Sequence, residues 1–548
     1  MKYSLRLVLL LCLIAPGVTL AEPKRGAAAT VHPLATQAAI NALRAGGNAV
    51  DAAVAAAVTL GVVDGHNSGI GGGCFMLIRT ADGQLIAFDG REIAPAAATR
   101  EMFLRDGKGD TSLSQNGPLA SGIPGSVAVF EQAVSKYGKR SLADAFTPAA
   151  ELAEAGFPIN KPYAERIAAQ QKELARFPAA AALLLDEQGA PLKEGTLLKQ
   201  PDLAKTYRGI ASGGADYFYK GDFANTVATW MKANGGIIAD SDFANYSIKQ
   251  REPLVTSYRG HTIVGFPPPS SGGVHVAQIL SILEPFDLKA LHQQDPALRL
   301  HVILQAMKLA FADRAFWLGD PAFTKVPRGL IDANYGQELS KQIQLDSSLK
   351  IEGPGTPPGA KSDFFDDELT GRHTTHIATA DADGTVVAIT TTVNTVFGSK
   401  VIVPGTGVIL NNQMDDFSIE PGVANAFGLV GADANAIAPG KRPLSSMSPT
   451  IVLKDNKPFM TIGAAGGPKI ITQVVLGISN VVDLGDDLPT ALARKRVHHQ
   501  WKPDAAWIEG GMDDAIVEKL KALGNTLDVA PPAGATQAIM LDGGNFVP

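Results

Sequence analysis

His373-Thr374-Thr375-His376 stands between a loop rich in Pro, Gly and acid, residues 353–368, and a stretch that alternates like a β-hairpin. Residues 374–380 and 385–393 read as two strands joined at Asp381-Ala382-Asp383-Gly384, a turn composition. A Thr opening an interior strand directly after a cleavable loop sets up one particular chemistry. If the chain is cut before Thr374, a single residue carries both a hydroxyl nucleophile and an α-amine base. An α-amine titrates near about 8, so it accepts a proton close to neutral pH and no Asp-His pair is needed. β-propensity also places Thr-Thr at strand starts, so residues further along the chain must decide between the two explanations.

The rest of the chain sets the bounds. Its 548 residues exceed one simple core and call for two closely packed layers or two domains. With 45% hydrophobic and 19% charged residues, the chain is globular rather than disordered. The charge balance is 48 Lys+Arg against 54 Asp+Glu, net -6, with no basic run, which argues against nucleic acid as a partner. Lys2 and Arg6, the apolar run Leu7 to Ile14 and Thr19-Leu20-Ala21 have the order of a secretory signal peptide over 1–21. The apolar run is too short to span a bilayer, so no membrane association is expected once it is removed. Cys12 leaves with it and Cys74 remains alone, so an intrachain disulfide is impossible. Export without disulfides fits a bacterial periplasm.

Residues 33–63 read as two Ala-rich helices broken at Gly46-Gly47-Asn48, and residues 74–79 with 84–89 as a hairpin around Ala81-Asp82-Gly83. From Gly125 to Phe316 the pattern is mainly helical, interrupted by a strand pair near 254–264; hairpins return at 374–393 and 451–462, and a helix follows over 468–484. Hairpins at both ends with helices outside predict an α+β fold, antiparallel sheets sandwiched between helical layers.

Several motifs surround Thr374 in sequence: Asn411-Asn412-Gln413-Met414-Asp415-Asp416-Phe417, Lys441-Arg442-Pro443-Leu444-Ser445-Ser446, Asp89-Gly90-Arg91-Glu92, Thr392-Val393-Asn394-Thr395 and Gly463-Ala464-Ala465-Gly466-Gly467. Further along are Arg44-Ala45-Gly46-Gly47-Asn48-Ala49-Val50-Asp51, Ala312-Asp313-Arg314 with Leu318-Gly319-Asp320-Pro321, and His498-His499-Gln500-Trp501. As an ordered set they resemble the γ-glutamyltranspeptidase (glutathione hydrolase) family in its exported bacterial form, over nearly the whole mature chain.

The resemblance implies an N-terminal nucleophile hydrolase, an αββα sandwich made as one inactive precursor that cuts itself before Thr374. The products would be a large subunit, 22–373, and a small subunit, 374–548, held together as a heterodimer. The implied activity is hydrolysis or transfer of γ-glutamyl groups from glutathione and similar amides, to water or to amino-acid or peptide acceptors, through an acyl-enzyme on Thr374. By resemblance Thr392 contacts the nucleophile and Gly466-Gly467 form the oxyanion hole. Arg91, Ser445 and Ser446 take the substrate α-carboxylate, and Asn394, Gln413 and Asp416 its α-ammonium. Charge supports that division: a guanidinium forks onto a carboxylate, and an ammonium needs oxygen acceptors. No motif implies a metal or an organic cofactor. Pro468 breaks a phosphate-loop pattern, Gly69 to Cys74 lacks the last Gly of a dinucleotide fingerprint, and Cys74 reads as inert core. His498 and His499, taken as neighbours on a helix, diverge too far to share a metal.

Three departures from the family pattern stand out. Phe427 takes the place of a lid Tyr, His373 precedes the cut where other residues are common, and the ending at Asn545-Phe546-Val547-Pro548 predicts a missing terminal strand. Two other functions are compatible with these motifs. One is a glutaryl-type (cephalosporin) acylase of the same family, disfavoured because Asp416 would repel a ligand that lacks the amine. The other is an unprocessed protein that only binds γ-glutamyl compounds.

Overall fold

A computed structural model describes residues 26–360, 374–420, 424–429 and 431–548. Residues 1–21, read from the sequence as a signal peptide, residues 361–368 of the acidic loop and His373 lie outside the described residues.

Two six-stranded sheets form the centre. The first runs, edge to edge, Gly26–Ala29, Thr375–Asp381, Val386–Thr392, Gly73–Arg79, Leu85–Gly90 and Lys249–Arg251, antiparallel throughout. The second runs Asn545–Val547, Ala535–Asp542, Lys457–Ala465, Thr450–Lys454, His261–Gly265 and Leu254–Tyr258, also antiparallel. The central strands are buried on both faces, so each carries two apolar sets. In Thr375–Asp381, Ile377 packs toward helices while Ala378 and Ala380 face the other sheet. Between the sheets lie Phe75, Phe266, Ala388, Ile451, Ala464 and Ile539, with the Phe75 and Phe266 rings stacked at 4.3 Å. Small residues on one side let the sheets approach: at Gly463 an added Cβ would collide with the His376 ring.

Helices Pro33–Arg44 and Ala49–Val63 cover the outer face of the first sheet, with Leu142–Ala155 packed on Ala49–Val63; Gly272–Leu283 and Lys469–Val482 cover the second, with Pro296–Trp317 packed on Gly272–Leu283. Asn48 and Asp51 form a reciprocal cap at the start of Ala49–Val63, which fixes the break between the two Ala-rich helices. The αββα sandwich expected from the resemblance is therefore the observed architecture.

Three features differ from the sequence expectations. The edge strands Gly26–Ala29 and Lys249–Arg251 are short and carry no β-branched residue, so periodicity does not signal them. A separate three-stranded sheet contains a parallel pair, Ala506–Glu509 with Leu527–Ala530, connected through helix Asp514–Ala522. His498 ends a strand rather than lying on a helix. It meets Thr472 Oγ1 at 3.0 Å, whereas His499 lies 3.3 Å from Asp504. The two rings still diverge, because successive strand residues face opposite sides.

Candidate active site

Thr374 immediately precedes the strand Thr375–Asp381, and Thr392 ends the neighbouring strand, so antiparallel pairing brings the two together. Their hydroxyl oxygens are 3.3 Å apart, and Asn394 N–H donates to Thr392 Oγ1 at 2.8 Å. Asn394 has φ of 81°, a left-handed conformation that costs energy in a non-glycine residue and aims its side chain into the site. Its amide nitrogen donates to Asn412 O at 3.0 Å. On the opposite face of the strand, Thr375 Oγ1 donates to Asp64 Oδ2 at 2.5 Å. Burial pushes the Asp64 carboxyl up to about 7. The glycine run before Cys74 has a steric role here. A side chain at Gly72 would collide with Thr392 O, and one at Gly71 with Ile409 O.

One pocket is lined by Thr374, Thr392, Asn394, Arg91, Gln413, Asp416, Ser445, Ser446 and Gly467. Nine of the ten residues singled out in the sequence thus line one cavity. The tenth, Gly466, adjoins it in the turn between strand Lys457–Ala465 and helix Lys469–Val482. Gly466 and Gly467 have φ of 127° and 58°, so the turn uses conformations that L side chains rarely adopt.

Arg91 is fully buried. Its backbone is clamped by Asp89 Oδ1, 2.9 Å from Arg91 N, and by the Tyr246 hydroxyl, 2.9 Å from Arg91 O. The guanidinium donates to Pro443 O at 3.0 Å and Leu444 O at 2.9 Å, and forms an ion pair with Asp416. Gln413 Nε2 donates to the same Asp416 carboxylate at 2.7 Å, while Gln413 Oε1 is buried without a hydrogen-bond partner. That orphaned acceptor faces a pocket that already holds a carboxylate, the surroundings an ammonium group requires. Burial raises the Asp416 carboxyl above its ordinary range and Arg91 opposes the shift. Phe427 also lines the pocket, its N–H donating to Asn425 Oδ1 at 2.9 Å, and Gln500 Nε2 donates to Gly428 O at 2.9 Å.

Two residues here were not singled out as site residues in the sequence. Arg314, from helix Pro296–Trp317, lines the pocket and donates to Ser446 Oγ at 3.0 Å. Glu92 lies with Oε2 3.8 Å from Arg91 Nη1; both of its oxygens are buried without a hydrogen-bond partner. Both occur inside quoted motifs, but only their distant partners reveal what they touch. Burial pushes Glu92 up to about 7, against the pull of Arg91. Its proton is therefore held more tightly folded than unfolded, so stability contributed by the neutral form is lost as pH rises from about 4.5 through about 7. Glu92→Gln, which cannot ionise, is expected to gain in melting temperature relative to the parent between pH 5 and pH 8. Thermal unfolding of both proteins at the two pH values checks this; an unchanged difference would contradict it.

Among the described residues no group of three or more His, Cys, Asp or Glu is placed to hold a metal ion, and no helix is long and apolar enough to cross a membrane. Cys74 is buried and burial pushes its thiol up, which leaves it unreactive.

An αββα sandwich with a Thr at the head of a central strand, facing a polar pocket, is the architecture of an N-terminal nucleophile hydrolase. Comparison with known proteins narrows the class. The Gamma-glutamyltranspeptidase family model matches residues 35–548, and the chain belongs to that family. The Glutathione hydrolase proenzyme of Escherichia coli strain K12 is 42% identical over 520 residues, covering 94% of this chain and 88% of that one. The Acylase ACY 1 proenzyme of Pseudomonas sp. strain SE83 is 38% identical, covering 95% and 90%. Among solved structures, cephalosporin acylase from Bacillus halodurans superposes with a TM-score of 0.82 at 27% identity, over 97% of this chain and 96% of its own. Helicobacter pylori gamma-Glutamyltranspeptidase gives 0.60 at 39% identity, over 63% of this chain and 99% of its own.

Proposed function

We propose that the chain is a precursor that cuts its own 373–374 peptide bond and then acts as a γ-glutamyl hydrolase and transferase on glutathione and other γ-glutamyl amides. In maturation the Thr374 hydroxyl attacks the carbonyl carbon of residue 373, and the acyl group moves from nitrogen to oxygen. Water hydrolyses the resulting ester, giving a carboxylate on 373 and a free amine on Thr374. In turnover the same oxygen attacks the γ-carbonyl carbon. The hydroxyl proton passes to the α-amine and on to the leaving amine, and water or an acceptor amine then takes the γ-glutamyl group. Thr392 orients the nucleophile, and the N–H groups of Gly466 and Gly467 stabilise the tetrahedral oxyanion. Arg91, Ser445 and Ser446 bind the α-carboxylate; Asn394, Gln413 and Asp416 bind the α-ammonium. The division at 373 is supported by the relative sizes of this chain and the solved Helicobacter pylori chain, which spans 63% of it. Export to the periplasm follows from the signal peptide over 1–21.

The observation that carries this assignment is the pairing of Arg91 with Asp416 in the pocket that holds Thr374. Opposite charges held side by side complement an amino acid's zwitterionic end. The acylase named among the relatives supports a second function, an acylase of the same family; on the reading given above its substrate would carry a glutaryl group in place of γ-glutamyl. A glutaryl group lacks the amine, so it would leave Gln413 Oε1 without a donor and bring no second cation to Asp416. Parallel turnover of γ-glutamyl and glutaryl anilides separates the two. The γ-glutamyl compound is expected to be preferred by at least about 10²-fold in kcat/KM. The reverse preference would make the protein an acylase, and an uncut chain inert to both would make it a binding protein.

A further inference from the structure

Arg314 belongs to helix Pro296–Trp317 on the outer side of the second sheet, yet its guanidinium reaches the pocket and is only 4% exposed. Its Nη2 donates to Ser446 Oγ at 3.0 Å and its Nε to Ser271 Oγ at 2.9 Å. Ser271 in turn donates its hydroxyl and its backbone N–H to Ser445 O, each at 2.7 Å. One side chain therefore fixes both serines, Ser446 directly and Ser445 through its carbonyl.

Two physical consequences follow. A serine hydroxyl has one proton, and a guanidinium can only donate. With Arg314 occupying a lone pair of Ser446 Oγ, the Ser446 proton must point elsewhere, which makes this residue a hydrogen-bond donor toward the pocket. A carboxylate, which accepts only, matches that polarity. The second consequence concerns charge. Arg91 already faces Asp416 and Glu92, so whenever Glu92 is ionised its single positive charge meets two negative ones. An anionic ligand group would then enter a negative site. Arg314 supplies a second cation that interacts with the Asp416 charge, and although burial lowers its guanidinium to about 10, it remains protonated at neutral pH.

We propose that Arg314 is a positioning and specificity-determining residue for the substrate α-carboxylate, holding Ser446 as an obligate donor and supplying charge that Arg91 alone does not. This rests on the γ-glutamyl function proposed above. The test is steady-state kinetics on Arg314→Met, Arg314→Lys, Ser446→Ala and the Arg314→Met/Ser446→Ala pair, after a denaturing gel has established processing. The substrates are a γ-glutamyl anilide and its 4-aminobutyryl counterpart, which lacks the carboxylate and is read as an inhibition constant where turnover is too slow.

For Arg314→Met, KM for the γ-glutamyl anilide is expected to rise about tenfold or more while kcat changes far less. Binding of the 4-aminobutyryl compound is expected to stay nearly constant, and the double variant to be no weaker than Arg314→Met alone. Arg314→Lys is expected to fall between the parent and Arg314→Met. Equal losses on both compounds, or additive losses in the double variant, would overturn the proposal. If Arg314→Met does not fold or process, the same two-compound comparison on Arg314→Lys decides. A parent enzyme inert to the γ-glutamyl anilide would instead overturn the underlying function.

Discussion

Thr374→Ala protein is expected to migrate as a single uncut chain and to lose γ-glutamyl turnover by at least about 10⁴-fold. Both losses have one physical source. The hydroxyl that would attack the 373 carbonyl is the one that would later attack substrate, and without it no α-amine is released at 374. Thr374 is 6% exposed and its oxygen lies 3.3 Å from Thr392 Oγ1, so bulk water has no ready substitute for this positioned hydroxyl. Thr374→Ser keeps a hydroxyl in the same place and is expected to process and retain measurable activity. Intact mass and N-terminal sequencing read the first outcome, giving a new terminus Thr-Thr-His-Ile in the parent, Ser-Thr-His-Ile in Thr374→Ser and none in Thr374→Ala. Two fragments from Thr374→Ala would remove Thr374 from the mechanism.

Asp416→Asn is expected to carry the next largest effect. The substitution keeps the shape and removes the negative charge that faces Arg91 and accepts from Gln413 at 2.7 Å. Truncating one partner of a buried charge pair costs about 3–5 kcal/mol, much of it from leaving the other charge uncompensated. For substrate, losing the carboxylate that meets the α-ammonium is expected to lower kcat/KM on a γ-glutamyl anilide by about 10²–10³-fold. Turnover of the glutaryl anilide, which has no ammonium to lose, is expected to hold or improve. Kinetics on both substrates read the result, and a parallel drop on each would mean that Asp416 only supports the fold.

Much of the fold was readable because its elements carry strong local signals. The hairpin at Ala81-Asp82-Gly83, the break at Gly46-Gly47-Asn48 and the helix Leu142–Ala155 appear where turn chemistry and apolar period place them. Gly26–Ala29 was not readable, since four small residues acquire strand character only by pairing with Thr375–Asp381. The same contrast holds at the site. Arg91 and Asp416 can be picked out as charged residues within motifs, but their pairing spans 325 residues of sequence. Arg314 sits inside an apolar helix pattern, and only the packing of that helix against Gly272–Leu283 brings its guanidinium to Ser446. Glu92 is next to Arg91 in sequence, but its raised pKa comes from burial, which no local pattern encodes.

The placement of Thr374 has a further consequence for the life of the protein. In the first sheet Thr375–Asp381 and Val386–Thr392 lie together between Gly26–Ala29 and Gly73–Arg79, from the other side of the 373–374 bond, and in the second sheet Thr450–Lys454 pairs with His261–Gly265 across the same division. Before the cut these pairings form within one molecule; afterwards a denatured protein would have to recover them by collision of two polypeptides. The proposed maturation would thus turn folding from a first-order event into a second-order one, and the working enzyme would persist through the height of its unfolding barrier rather than through repeated refolding.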